Sequence, residues 1–249
     1  MHYYMQLLKL GCFSRDDVAR ITGNVRTADS LLYSYKKKSY IVSIKRNLFT
    51  AIDPTTGEPV CNQYEIGSCL STDSYISHHS AFEVHGMANQ VLYDVNISSS
   101  SRFTPFDFNG HRYMYIASSF LDGVETHGRI RVTDLERTIV DTIKDFTKVS
   151  GLEELLACLS LVTYIDERKL MHYLSCYDIQ FLYQKAGYIL SLFPGTKISK
   201  QFLISCEKQI QKSIRYLTPE TKQERATFQK RWGLYVPSNI NLLVPTTQY

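Results

Sequence analysis

Between Met5 and Ile52 the apolar residues switch once from helical to strand spacing, and a glycine or a capping residue marks each break before that switch. Met5, Leu7, Leu8 and Leu10 make a short helix that stops at Gly11. Ser14 then precedes Arg15-Asp16-Asp17, an N-cap followed by carboxylates in the first turn, where the helix dipole favours them. Val18, Ala19 and Ile21 give this second helix a buried side, and Gly23 ends it. Asn24 caps a third helix, with Ala28, Leu31, Leu32 and Tyr35 on one face and Arg26, Ser30, Tyr33 and Lys37 on the other. Tyr40 to Ile44 alternates as a strand, Lys45-Arg46-Asn47 turns, and Leu48 to Ile52 returns as the second strand of a hairpin. Three short helices followed by a hairpin are the outline of a winged helix-turn-helix.

Charge follows the same division. Residues 1–52 hold nine Lys/Arg against three Asp/Glu, residues 53–196 hold ten against eighteen, and residues 197–249 again hold nine against three. An acidic middle between two basic ends bears on partners rather than on fold. In a winged helix-turn-helix the third helix enters the major groove, so Arg26, Thr27, Ser30 and Tyr33 are placed to read bases. Lys36, Lys37 and Lys38 at its end, with Lys45, Arg46 and Asn47 at the hairpin tip, are placed against the phosphate backbone. Lysines at a helix C-terminus and polar hairpin tips each read, alone, as a solvated face. Their coincidence with the helix order and the basic balance points to double-stranded DNA.

Asp53-Pro54-Thr55-Thr56-Gly57-Glu58-Pro59 is turn-rich and predicts a domain boundary near residue 60. The expected class is α+β: a winged helix-turn-helix over 1–60, then a mixed α/β domain over 61–249 with a helical C-terminal half. In that second part, a helix is expected over Gln63 to Leu70 and another from Ser77 to Gly86. Val91 to Ile97 reads as a strand, with Ser98 to Ser101 as a loop. Phe106 to Tyr113 reads as two strands around Asn109-Gly110, and Ile130 with Val132 as one more. Thr133 with Glu136, and Ser150 with Glu153, have the spacing of capping boxes. Helices follow over Glu167–Tyr177, Ile179–Phe193 and Lys200–Leu217. On the last, Lys208, Lys212 and Arg215 would form a basic stripe. Thr218-Pro219 starts a further turn, and Trp232, Leu234 and Val236 end the pattern as a strand.

YIVSIKRNLFTAIDPTTGEPV, SYISHHSAFEVHG, RVTDLERTIVD and FLYQKAGYIL, in this order and spacing, resemble the AbiE antitoxin family, the antitoxin half of a type IV toxin–antitoxin system. The resemblance spans nearly the whole chain. It implies a winged helix that binds inverted repeats in its own promoter and represses the operon, in an abortive-infection defence against phage. It also implies a C-terminal domain that counteracts a nucleotidyltransferase-like toxin without forming a stable complex with it. On this reading the protein is a monomer in solution that binds DNA cooperatively, with the Lys208, Lys212 and Arg215 surface assisting.

The rival is a metal-dependent nuclease or nucleotidyl enzyme carried by a winged-helix targeting domain. Glu167-Arg168-Lys169 fits an E-x-K fragment beside Asp166, but it opens an amphipathic helix instead of lying on the strands such a site needs. No phosphate-binding G-x-x-x-x-G-K-[ST] loop occurs, and Gly67-Ser68 lacks a paired D-x-D. His78, His79, Glu83 and His85 resemble a zinc set short of ligands, and an i, i+4 pair of His79 with Glu83 accounts for the pattern. Arg137 with Asp141 has the same spacing, and with Asp134 and Glu136 reads as structural. The six cysteines are scattered without a C-x-x-C pair and read as reduced, mostly buried thiols. No apolar run is long enough for a bilayer and the opening residues lack a secretory pattern, so the expected location is the cytoplasm. With each catalytic and metal pattern accounted for otherwise, the expectation is a protein that is not an enzyme and needs no cofactor or metal.

Overall fold

The structure, a computed structural model, describes residues 2–118, 120–196, 198–223 and 225–245. The architecture is α+β. The chain forms two compact units: one runs to Ile76 and adds Tyr93–Ala117 and Thr126–Arg131, and the other takes Ser77–Leu92, Ser118–Glu125 and everything from Val132.

The first unit begins with helix α1 (His2–Leu10), strand β1 (Cys12–Phe13), helices α2 (Arg15–Thr22) and α3 (Val25–Lys37), and strands β2 (Ile41–Lys45) and β3 (Leu48–Ala51). The three strands pair antiparallel in the order β1-β3-β2. Leu7, Phe13, Val18, Ala28, Leu32, Ile41 and Ala51 form the core between these helices and this sheet. Burying about seven such side chains is worth on the order of 10 kcal/mol before chain entropy is counted. A bulge between Ser43 and Lys45 breaks the alternation of β2, so that Ile41 and Ile44 are the buried residues.

The stretch at 53–59 does not lead away from this sheet. Asp53 N donates to Glu58 O at 2.8 Å, Val60 N to Ala51 O at 3.0 Å, and Ile52 bridges Pro59, so the turn folds back on β3. The first unit therefore continues past the boundary predicted near residue 60, through α4 (Gln63–Ser68) and β4 (Tyr75–Ile76).

Helix α5 (His78–Val84) belongs to the second unit. After it come β5 (Asp94–Ser99), β6 (Phe106–Phe108), β7 (His111–Ala117), β8 (Val124–His127) and β9 (Ile130–Thr133), and the six-stranded sheet has the order β6-β7-β5-β4-β9-β8. β5 and β7 run parallel, from Asp94 opposite Arg112 to Ser99 opposite Ala117. Asn109 and Gly110 are both left-handed, as a tight β6–β7 hairpin requires. Ser98 and Ser99, predicted in a loop, are buried in β5, where Ser99 Oγ donates to Asp73 at 2.9 Å. Val91 and Tyr93 precede the strand and are exposed.

The rest of the second unit includes helices α6 (Leu135–Val149), α7 (Gly151–Ser160), α8 (Glu167–Tyr177), α9 (Gln180–Ser191) and α10 (Lys200–Lys208), then strands β10 (Arg215–Tyr216), β11 (Ala226–Gln229) and β12 (Leu234–Pro237), and a last short helix α11 (Ile240–Leu243). Asp134, not Thr133, caps α6 by accepting from Arg137 N at 2.8 Å, while Glu136 turns away to accept from Asp166 N. Ser150 makes no side-chain cap on α7. Helix α9 is buried along most of its length because the core of this unit surrounds it. Trp232 lies so close to it that a Cβ on Gly187 would meet the indole at 2.1 Å. Among the described residues, no helix is long and apolar enough to cross a membrane.

Candidate nucleic-acid interface

Local chemistry fixes α2 and α3 in the first unit. Ser14 caps α2 with the reciprocal Asp17 contact, whose carboxylate accepts from Ser14 N at 2.7 Å, and left-handed Gly23 closes the helix. Asn24 Oδ1 accepts from Arg26 N at 2.8 Å and Thr27 N at 3.2 Å, opening α3 three residues after the end of α2. Arg15 grips Asp29 through two hydrogen bonds of 2.6 and 2.7 Å, joining the two helices. That bond holds the Asp29 carboxyl below the usual carboxylate range. It also neutralises the one anion of α3, which would otherwise oppose a phosphate.

The outward face of α3 carries the residues expected there. Arg26, Thr27, Ser30 and Tyr33 are exposed, Tyr33 to 73%, and so are Lys36, Lys37 and Lys38 at the end of the helix. Arg46 is exposed at the β2–β3 turn.

Lys45 and Asn47 depart from the expectation. The bulge at Ser43/Lys45 turns Lys45 inward, where its Nζ donates to Leu70 O at 3.1 Å and lies 5.5 Å from the centre of the Phe103 ring. Burial pushes its ammonium pKa down. Lys45 is thus committed within its own unit and does not join Arg46 at the tip. Asn47 is left-handed at the turn, and its Oδ1 accepts from Arg15 N at 3.1 Å. Its carbonyl group orients the start of α2.

The basic stripe predicted on one long helix is not formed as such. α10 ends at Lys208; Lys212 lies in a loop and Arg215 in β10. Pairing of β10 with β12 replaces helical bonds, Arg215 N donating to Gly233 O at 3.0 Å and Leu217 N to Tyr235 O at 2.9 Å. The three cations are exposed but do not share a helix face.

The other constellations also resolve into named contacts. Glu167 accepts from Ser199 Oγ at 2.8 Å, and Lys169 pairs with Asp134 at 3.0 Å, so the E-x-K groups serve different partners. His79 lies 3.0 Å from Glu83, as its spacing predicts, and 2.9 Å from Glu154. Burial works against its imidazolium, but the hydrogen bonds to Glu83 and Glu154 outweigh that and raise its pKa. His78 contacts Ser77 at 2.8 Å and His85 bonds Thr133 O at 2.7 Å, so the three imidazoles do not converge on a point. Arg137 pairs with Asp141 at 2.8 Å as expected, and both are 1% exposed.

Two groupings bring together residues that the sequence reading did not connect, although the i, i+4 spacing of His172 and Cys176 on α8 could have signalled that pair. Cys12, from β1, lies beside Cys61 and Cys69 from the region of α4, and these neighbouring thiols, with burial, push its own thiol pKa up. Asp122, His172 and Cys176 meet on the surface of the second unit.

No family model matches the chain, and no curated protein matches it. Among solved structures, the RV2827C protein from Mycobacterium tuberculosis shares the fold. The TM-score is 0.67 with 15% identity, over 93% of this chain and 88% of that one.

Proposed function

We propose that this protein is a DNA-binding repressor of its own operon and the antitoxin of a type IV toxin–antitoxin system of the AbiE kind. On this reading α1–α3 and β1–β3 form a winged helix, with α3 in the major groove and the β2–β3 turn on the adjacent backbone. The observation that carries the reading is the state of the α3 face. Among the described residues, the side chains of Arg26, Thr27, Ser30, Tyr33, Lys36, Lys37, Lys38 and Arg46 are exposed and make no hydrogen bond or ion pair. Cations with no internal partner break no contact of the protein on meeting phosphate, and each phosphate neutralised releases counterions. Polar side chains near the start of the helix supply donors and acceptors for base edges.

The protein acts in the cytoplasm as a monomer that binds neighbouring inverted repeats cooperatively, and its second unit serves to counteract a nucleotidyltransferase-like toxin without a lasting complex. Footprinting of the upstream DNA with the full chain should show protected inverted repeats. Co-expression should relieve growth arrest by the toxin encoded beside it. Equal affinity for upstream and unrelated duplex overturns the repressor role, and undiminished arrest overturns the antitoxin role.

A further inference from the structure

The geometry points to a divalent transition-metal site, of zinc type, formed by Asp122, His172 and Cys176 on the second unit, with water completing the coordination. This inference is independent of DNA binding and of the antitoxin role.

His172 and Cys176 stand one turn apart on the exposed side of α8, and Asp122 comes from the loop before β8. His172 Nε2 is 3.2 Å from Asp122 Oδ2 and 3.6 Å from Cys176 Sγ, and the three atoms lie within 4.8 Å of one another. For a tetrahedral Zn²⁺ with ordinary bond lengths, the distance between two ligand atoms is about 3.3 Å for nitrogen and oxygen and about 3.6 Å for nitrogen and sulfur. The two separations from His172 Nε2 are therefore those of a coordination edge. The remaining pair closes by rotation of an exposed side chain.

Two further observations favour a ligand over chance proximity. Among the described residues, the polar side-chain atoms of the trio have no partner outside it. The buried group His79, Glu154 and Cys158 is different, because Glu83 and Gln90 also bond to it there, at 3.0 Å each. The backbone of the Asp122 loop is also tied down by hydrogen bonds. Arg137, itself buried, donates through Nη1 to Asp122 O at 2.8 Å and stacks 3.6 Å from the centre of the Phe120 ring. Asp134 N donates to Gly123 O at 2.7 Å. Gly123 is left-handed, and a Cβ there would lie 2.4 Å from the Tyr173 hydroxyl, so the loop can press directly on α8. Supporting contacts of this kind fix a ligand before the metal arrives.

Binding exchanges the Cys176 thiol proton for a metal–sulfur bond and leaves the metal divalent. Three protein ligands leave a fourth position open to water. Titrating the full chain with Co²⁺ should produce a thiolate-to-cobalt charge-transfer band that Zn²⁺ bleaches. Cys176→Ser should abolish the band, and His172→Ala and Asp122→Asn should each weaken binding at least about tenfold. Cys12→Ser should leave the band intact. Because the trio is exposed, these variants should match the parent in thermal unfolding without metal. Zn²⁺ should raise the melting temperature of the parent and not of Cys176→Ser. Absence of the band, its persistence in Cys176→Ser, or its loss in Cys12→Ser overturns the assignment.

Discussion

Replacing Lys45 and Arg46 separately distinguishes a cation offered to DNA from one used inside the protein. Arg46 is exposed at the turn between β2 and β3, whereas the Lys45 ammonium is bonded to Leu70 O at 3.1 Å. A side chain that neutralises one phosphate contributes about 0.9 to the slope of log affinity against log salt concentration. Taking that contribution to vanish near 1 M salt, Arg46→Ala should weaken binding about fivefold at 0.15 M and about fifteenfold at 0.05 M. The slope itself should become shallower by about 0.9. Lys45→Met keeps the apolar stem but removes the hydrogen bond and the contact over Phe103, so it should destabilise the fold by about 1–2 kcal/mol and leave the slope alone. Fluorescence anisotropy with labelled operator duplex across a salt series gives both slopes, and urea unfolding gives the stability. A shallower slope for Lys45→Met with none for Arg46→Ala would refute the placement of these cations. No change for either would remove the β2–β3 turn from the interface.

Two further predictions test the packing of the second unit. Burial lowers the Lys185 pKa from 10.5 to about 8 while its Nζ bonds to Lys144 O at 2.9 Å. The unfolded chain then binds the extra proton between those values, so the penalty is full below pH 8 and relieved as pH rises toward 10.5. Lys185→Met should therefore gain up to about 3 kcal/mol at pH 7, an advantage over the parent that shrinks by pH 9.5, as read by urea unfolding at both values. A variant less stable than the parent at pH 7 contradicts this. Gly187→Ala should lose about 1–3 kcal/mol, because its Cβ meets Trp232 at 2.1 Å and a full core has nowhere to move the indole. An unchanged unfolding midpoint would show that the core yields there.

Where the determinants are local, the sequence states them. Ser14 and Asn24 cap the helices they precede, Asn109-Gly110 makes its hairpin, and α8 spans Glu167–Tyr177 as its pattern predicts. The missed features depend on distant partners. The fate of Lys45 is decided by a bulge and by a carbonyl at Leu70, and the end of α10 by a strand more than twenty residues later. Cys12 meets Cys61 and Cys69, and Asp122 meets α8, across separations that follow no repeat; only His172 with Cys176, one helical turn apart, could be paired by periodicity.

The segregation of charge along the chain has two physical origins. In the middle segment much of the acidic excess is internal: Asp134, Glu136, Asp141, Asp145 and Glu154 are all buried. Each accepts from a fixed donor. Lys169 and Tyr173 serve Asp134, Asp166 N serves Glu136, Arg137 and Tyr177 serve Asp141, Lys148 serves Asp145, and His79 and Gln90 serve Glu154. A buried carboxylate without such partners would cost several kcal/mol, so these acids require the donors that organise α6, α7 and α8. They are consumed by folding and present little charge to a partner. At the amino terminus the reverse holds: Arg15 is tied to Asp29, while Arg26, Lys36, Lys37, Lys38 and Arg46 remain on the surface with no acidic partner among the described residues. An unneutralised group of cations is retained at a cost in self-repulsion. A polyanion laid across α3 and the β2–β3 turn would relieve it.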